Sequence, residues 1–307
     1  LVGGCVRDSI LKRPIHDYDI TTSATPNEML EIFKDKRIIE TGLQHGTITI
    51  VINGEGYECT TYRIDGNYSD SRRPDSVTFT RSLKEDLKRR DFTINAMAYN
   101  DEAGLVDPFN GMEDIEHYKI RCVGRAEDRF SEDALRILRA IRFASQLGFV
   151  VDSDVSLNIH KMYKNLENIS IERINSEFCK IALSNKFYIQ IGLFREVFSL
   201  FIPEIKDMFG FQQNNPYHIY DVWGHTIHAV EAYFCDGEED LNPIDLITAL
   251  AVFFHDIGKP HCYQDGEDGI RHFKGHGRVS ADMTDTIMKR LRFDNDTREK
   301  VVQLVYY

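Results

Sequence analysis

The sequence predicts an α+β protein, a mixed α/β head followed by an all-helical body. Two observations carry this reading. Short β-branched or alternating segments, bounded by Gly, Asn or Asp, crowd residues 1 to about 110. From about residue 130 the apolar spacing lengthens to the helical period. Strands are expected over 15–20, 47–52, 57–62 and 76–79. Thr25-Pro26 starts a helix over 27–33, with Thr as N-cap and Pro at the first helical position. Ser131 caps a helix through Gln146, with Leu135, Leu138, Ile141 and Leu147 on its apolar side and Gly148 closing it. Further helical patterns cover 154–166, 170–184, 222–234, 243–254 and 279–292, with a soft boundary near residue 205.

Composition narrows the class. With 307 residues, 42% hydrophobic and 28% charged, the chain is neither disordered, collagenous nor of low complexity. At roughly 100–200 residues per domain, two or three domains are expected. The longest apolar run, 246–254, is interrupted by Thr248 and falls far short of the roughly 20 residues a membrane span needs. No basic-then-apolar leader stands at Leu1, so a cytoplasmic protein is expected. A first residue other than Met and an uncapped apolar 301–307 segment make both ends look trimmed. Six scattered cysteines without a C-x-x-C pair read as reduced thiols.

The formal charge of -12 speaks at first against a nucleic-acid partner. Its distribution softens that. Residues 71–90 carry seven bases (Arg72, Arg73, Arg81, Lys84, Lys88, Arg89, Arg90) against three acids (Asp75, Glu85, Asp86). A basic strip survives on an acidic protein.

His16-Asp17-Tyr18-Asp19-Ile20 sets two carboxylates at i and i+2, on one face of a strand and close enough to share a divalent metal. Oxygen-only ligation suits Mg²⁺, which takes further ligands from substrate phosphates. An isolated pair of this kind is usually a solvated strand or turn feature. Upstream, however, Gly3-Gly4-Cys5-Val6-Arg7-Asp8 offers backbone that can approach a phosphate and an Arg to neutralise it, which turns the reading to phosphate chemistry. Glu58, on a neighbouring predicted strand, is either a third carboxylate or a surface acid.

The segment LVGGCVRDSILKRPIHDYDI resembles the first motif of polymerase-β-like nucleotidyltransferases, specifically the tRNA nucleotidyltransferase/poly(A) polymerase family whose tRNA members add CCA. Four more segments agree in order: RRDFTINAMAYN (89–100), VDPFNGMEDI (106–115), SEDALRILRAIRFASQLGF (131–149) and SIERINSEFCKI (170–181). The resemblance implies a nucleotidyltransferase head with a mixed β-sheet over 1–115, a helical neck that reads the base and binds RNA over 116–205, and a truncated helical body over 206–307. It implies Asp17 and Asp19 as catalytic ligands of Mg²⁺, and nucleotide binding by Gly4, Arg7, Arg90, Asp133, Arg136, Arg139 and Arg142. Asp91 and Asn95 would organise the pocket, and Asp107 would shape a loop. The implied partners are CTP, ATP and the 3′ end of tRNA.

Asp133 and Arg136, at i and i+3, offer one acceptor and one donor face. Cytosine and adenine both present an amino donor beside a ring acceptor, whereas uracil and guanine set a carbonyl against the carboxylate. Such a mismatch leaves buried polar groups unpaired at roughly 1–3 kcal/mol each. Spacing alone fits equally an intrahelical ion pair worth about 0.2–0.5 kcal/mol. The resemblance, through E-D-x-x-R, implies base recognition without a template. In the family the counterpart of 65–75 is a mobile loop linked to switching from C to A addition.

Seven of the eleven histidines fall at or after His218. WGHTIH, FHDIGKP and KGHG resemble an HD domain, which implies a second metal site on His225, His255 and Asp256, with His276 nearby. The function expected is template-independent CCA addition or repair, releasing pyrophosphate. The alternatives are a poly(A) polymerase, a C-only or A-only enzyme, or an HD-type metal phosphohydrolase.

Overall fold

The computed structural model describes residues 1–66, 75–235 and 245–307. Most of the 65–75 segment, with Arg72 and Arg73 of the basic strip, lies outside the described residues, as do the first two residues of the helix expected at 243–254. Packing divides the chain into two compact units, Leu1–Arg136 with Val150–Ile159 and Ile137–Phe149 with His160–Tyr307. That division differs from the three segments expected from the sequence, because the helix expected at 131–146 contributes to both units.

The first unit opens with α1 (Gly4–Ile10), then β1 (Ile20–Thr22), α2 (Pro26–Ile32), β2 (Arg37–Ile39), β3 (Thr47–Ile52) and β4 (Glu55–Thr61). The strands form a mixed sheet in the order β1-β4-β3-β2, with β1 parallel to β4 and the other pairs antiparallel. Alternation decides what is buried. Ile48 and Ile50 of β3 turn inward with Cys59 of β4 and Met29 of α2, and Ile20, Phe33 and Ile38 close over them. The strand expected at 15–20 starts only at Ile20. Val2 N–H donates to Asp19 O at 3.0 Å, which ties the backbone just before Ile20 to the N-terminal segment.

Two antiparallel hairpins and short helices follow. β5 (Arg63–Asp65) pairs with β6 (Val77–Phe79), and α3 (Leu83–Lys88) comes next. β7 (Ala98–Asn100) pairs with β8 (Gly104–Val106), and β9 (Lys119–Ile120), after α4 (Gly111–Glu116), runs parallel to β10 (Val150–Val151). Asp107 accepts from Gly111 N and Met112 N, both at 2.8 Å, and so shapes the entry to α4. Val2, Leu87, Ala96, Ala98 and Val123 form a second apolar cluster.

Helical periodicity runs through 131–147, but the backbone does not. α5 (Ala126–Glu132) ends at Asp133, which is extended at φ -143°, and α6 (Leu135–Leu147) starts afresh. Ser131 lies inside α5 and donates to Glu127 O at 2.8 Å, so it caps nothing. Asp133 Oδ1 accepts from Leu135 N at 3.0 Å instead, the local competition with backbone that makes Asp a helix starter.

The remaining helices are α7 (Ser153–Met162), α8 (Ile171–Ala182), α9 (Phe187–Leu193), α10 (Arg195–Phe201), α11 (Val222–Cys235), α12 (Leu246–Phe254), α13 (His276–Arg290) and α14 (Asn295–Tyr306). A short hairpin, β11 (Gln264–Asp265) with β12 (Arg271–His272), interrupts the helical body. Phe178 of α8 is the hub of the second unit's core. It meets Phe187, Phe198, Phe201 and Phe253 edge-on at 6.3, 6.2, 5.6 and 6.1 Å between ring centres. Among the described residues no helix is long and apolar enough to cross a membrane.

At α2 the expected cap is present in full. Thr25 Oγ1 accepts from Glu28 N, and Glu28 Oε2 accepts from Thr25 N at 2.6 Å. The Thr25 backbone donor, followed by Arg81, holds the Glu28 carboxyl down to about 2. A depressed acid contributes its stability in full above its ordinary value of 4.5 and loses it as pH falls through about 2. Urea unfolding of Glu28→Gln against the parent chain is therefore expected to show a deficit at pH 7 that shrinks steadily below pH 4.5. A deficit that stays constant to pH 2 would refute the charged cap.

Candidate functional site

Register sets the first part of the site. β1 and β4 run parallel with Ile20 opposite Cys59, so Asp19, one residue earlier, stands level with Glu58. Cys59 turns to the core, which leaves Glu58 and Thr60 on the other face of β4. A cavity of about 210 Å³ is lined there by Asp19, Glu58 and Thr60 together with Arg89 and Arg90. Asp17 and Asp19 are both exposed on the extended approach to β1. Partial burial raises the Asp19 carboxyl, Arg90 opposes that, and the charge of Asp17 raises it further. An acid whose ionised form is disfavoured by an acidic neighbour suits a shared divalent cation.

The two arginines are held by a residue that the sequence reading passed over. Asp86 of α3 is fully buried at 0% exposure. Its Oδ1 receives Arg89 Nε at 3.0 Å and Arg89 Nη2 at 2.9 Å, while Arg90 Nη2 lies 3.7 Å from Oδ2. Arg63 N and Thr21 Oγ1 also donate to this carboxylate, at 3.3 and 3.4 Å. The available signal was the i, i+3, i+4 spacing in EDLKRR, which places an acid under two bases on one helical turn. Arg90 in turn explains Gly3. The glycine adopts φ +78°, and a Cβ there would lie 2.8 Å from Arg90 Nη1.

Gly4 occupies the first turn of α1, after the Gly3 N-cap. Arg7, expected at phosphates, is buried and donates to Asp8 at 2.8 and 2.9 Å and to Asn95 Oδ1 at 2.6 Å. Asn95 Nδ2 continues to Asp91 Oδ1 at 3.3 Å, which also accepts from Phe92 N. Arg7 thus ties the first motif to the second across 88 residues.

A second cavity, of about 180 Å³, is lined by Asp65, Glu85, Lys88, Arg89, Arg129 and Glu132, among others. Arg89 therefore borders both cavities. Arg136 is 9% exposed, pairs with Glu132, and donates to Arg129 O at 3.2 Å and Arg89 O at 3.1 Å. Arg129 donates to Lys88 O at 3.2 Å. The open carbonyls at the end of α3 are closed by two guanidiniums, where the helix dipole favours positive charge. Asp133 and Arg136 do not share one continuous helix, since Asp133 sits in the break before α6.

In the second unit, Arg142 Nε stands 2.9 Å from Glu177 Oε2, and its guanidinium lies 4.4 Å from the centre of the Phe143 ring. Arg139 lies over the same ring at 5.4 Å. Here too the structure assembles His225, His255 and Asp256, whose ligand atoms all fall within 4.8 Å of one another. His225 Nε2 and His255 Nε2 are 3.3 and 3.0 Å from Asp256 Oδ2, and His276 Nε2 is 3.4 Å from Oδ1. His255 Nδ1 meets Val252 O and His276 Nδ1 meets Phe273 O, so both rings turn Nε2 toward the carboxylate. Lys259, 4% exposed, places Nζ 2.7 Å from Asp256 Oδ2 and donates to Gln213 at 2.9 Å. Burial drives His225 down to about 4, partly offset by Asp256.

A mixed sheet with paired acids before its parallel edge strand, closed by two arginines, defines a nucleotidyltransferase head. Comparison agrees, because residues 1–121 match the family model of the poly A polymerase head domain. The structure of the Bacillus stearothermophilus CCA-adding enzyme in complex with CTP is 30% identical, with a TM-score of 0.58 over 99% of this chain and 76% of that one. The chain belongs to the family of CCA-adding enzymes. The CCA-adding enzyme of Latilactobacillus sakei is 51% identical over 212 residues, 67% of this chain and 52% of the relative. That of Lactobacillus delbrueckii subsp. bulgaricus is 53% identical over 182 residues, 59% of this chain and 46% of the relative. The chain thus spans about half the length of these sequence relatives.

Gly3→Ala tests the close approach. Positive φ with a side chain is expected to destabilise by roughly 1–2 kcal/mol in urea unfolding, and Arg90 must move. A change within a few tenths of a kcal/mol, the range of an ordinary surface substitution, would show that neither φ nor the contact constrains this turn.

Proposed function

We propose that the chain is a template-independent RNA nucleotidyltransferase of the cytoplasm that builds or repairs the 3′-terminal CCA of tRNA from CTP and ATP and releases pyrophosphate. The observation that carries this is the β1–β4 register, which brings Asp19 level with Glu58 in a cavity bordered by Arg89 and Arg90. Family membership supports it, as do relatives whose solved structures are described with CTP, with ATP, or with a primer tRNA and an ATP analogue.

The donor set fits Mg²⁺, being all oxygen and carrying mutual repulsion that a cation relieves. Asp17 and Asp19 would hold it, with Glu58 beside them. Bound there, such an ion acidifies the attacking 3′-hydroxyl and offsets charge on the α-phosphate. Arg89 and Arg90 supply fixed positive charge for the triphosphate, and Gly3 leaves room for Arg90 to stand against the first motif. Asp133 and Arg136 read the base, the carboxylate accepting from its amino group and the guanidinium donating to its ring acceptor. Arg7 holds the first and second motifs together. Arg139 and Arg142 remain candidates for the phosphates. Positioning and charge carry the catalysis, since nucleotidyl transfer leaves the protein little covalent work.

A second reading attaches to the histidine cluster. Three ligand atoms within 4.8 Å and the anchored Nδ1 of His255 support a divalent metal on His225, His255 and Asp256, with phosphohydrolase chemistry. The Lys259 ammonium already neutralises part of Asp256, which lowers the affinity expected for a cation. His255→Ala is therefore expected to spare nucleotide addition while removing any metal-dependent hydrolysis of p-nitrophenyl phosphate.

The deciding experiment is single-turnover extension of tRNA transcripts ending before CCA, after C and after CC, with Mg²⁺ and each nucleoside triphosphate alone, then CTP with ATP. Two C additions and one A are expected. Unlimited A addition would point to a poly(A) polymerase, and arrest after CC or addition of the last A alone to a specialised partner enzyme. Asp17→Asn and Asp19→Asn should each lower the rate by at least about 10³-fold, some 4 kcal/mol. Asp133→Ala should admit UTP and GTP, and unchanged selectivity would remove its base-reading role.

A further inference from the structure

We infer that Asp86 is the positioning residue that aims the Arg89–Arg90 pair at the triphosphate, an inference that rests on the nucleotidyltransferase reading. The geometry points there from three sides. Asp86 is completely buried, and both of its cationic partners have side chains about one-fifth exposed that line the cavity of Asp19 and Glu58. A buried carboxylate with nothing but structural work is usually enclosed with its partners; here the partners line a cavity.

Two adjacent guanidiniums repel, and only an acid lying between them holds both in one place. Asp86 does so unequally. Arg89 is gripped by two nitrogens at 2.9 and 3.0 Å, whereas Arg90 is held by one at 3.7 Å. Arg90 Nε is buried without a hydrogen-bond partner among the described residues. The exposed part of the Arg90 guanidinium, held to Asp86 by that one longer contact, faces the cavity it lines with donors for an anion of several oxygens. The remaining contacts to Asp86 come from Thr21 on β1 and from the backbone of Arg63 on β5. The carboxylate is therefore referenced to the strand that Asp19 leads into, and the arginines inherit their place from the acids they face.

Asp86 touches neither phosphate nor metal in this scheme, so its signature is selective loss of triphosphate affinity. Binding of CTP and of CMP to the full chain with Mg²⁺, measured by calorimetry, is the test. Asp86→Asn is expected to weaken CTP about tenfold, the worth of one misplaced charge-assisted contact, and CMP less than about twofold. Asp86→Glu should recover part of the loss. Because the asparagine leaves buried cations uncompensated, Asp86→Asn is also placed on Arg89→Gln, where the more tightly held of the two stranded charges is gone. There it should weaken CTP by no more than about threefold, since the route through Arg89 is already cut. Equal loss for CTP and CMP, unchanged CTP binding, or an undiminished effect on the Arg89→Gln background would each overturn the inference. A parent chain that binds neither CTP nor ATP would bring down the nucleotidyltransferase reading itself; binding by the parent with no effect of Asp86→Asn brings down this inference alone.

Discussion

A single buried carboxylate organises the head. Asp86 receives donors from β1, from the strand after β4 and from the two residues that follow its own helix. Burying an ionised acid is tolerable only when its oxygens are filled and its charge is matched. Satisfying that demand draws β1, α3 and the Arg89–Arg90 turn into one arrangement. The same turn then offers its carbonyls to Arg129 and Arg136, so that the segment around the Asp133 break is hung from the end of α3. The constraint is electrostatic before it is geometric.

Much of this was legible in the residues. The Thr25 cap followed by Pro26 and the alternating 47–52 strand are local patterns, and these survive into the fold. The histidine cluster was legible for another reason, since FHDIGKP and WGHTIH are dense in ligating groups. What escaped reading depends on partners far away in the chain. The Asn95 partner of Arg7 and the Glu177 partner of Arg142 lie 88 and 35 residues away, beyond the reach of any local pattern. Asp86 was counted as an acid diluting a basic strip, because charge counts carry no information about burial.

The break at Asp133 is the clearest failure of periodicity. Apolar residues continue at helical spacing through 131–147, and a period cannot register that one side chain has captured the next helix's first amide. The strand at 15–20 was displaced for a related reason. β-Branched composition marks residues that suit a sheet, but which strand pairs with which is settled by long-range donors such as Val2 N.

The state of Arg136 bears on how a protein can choose between bases at all. Under the proposed base-reading role its guanidinium, which already holds Glu132 and two main-chain carbonyls, would meet a base by exchanging one of these partners for it. Recognition becomes an exchange between two well-satisfied states. The net affinity from such an exchange is small, because little is gained when one good partner replaces another. The discrimination is large, because a base with the wrong edge forces the swap and then leaves the guanidinium or its former partner unfilled. A pocket built this way would turn over its occupants readily while remaining strict about them, which is what the proposed sequential use of two different bases at one site would demand.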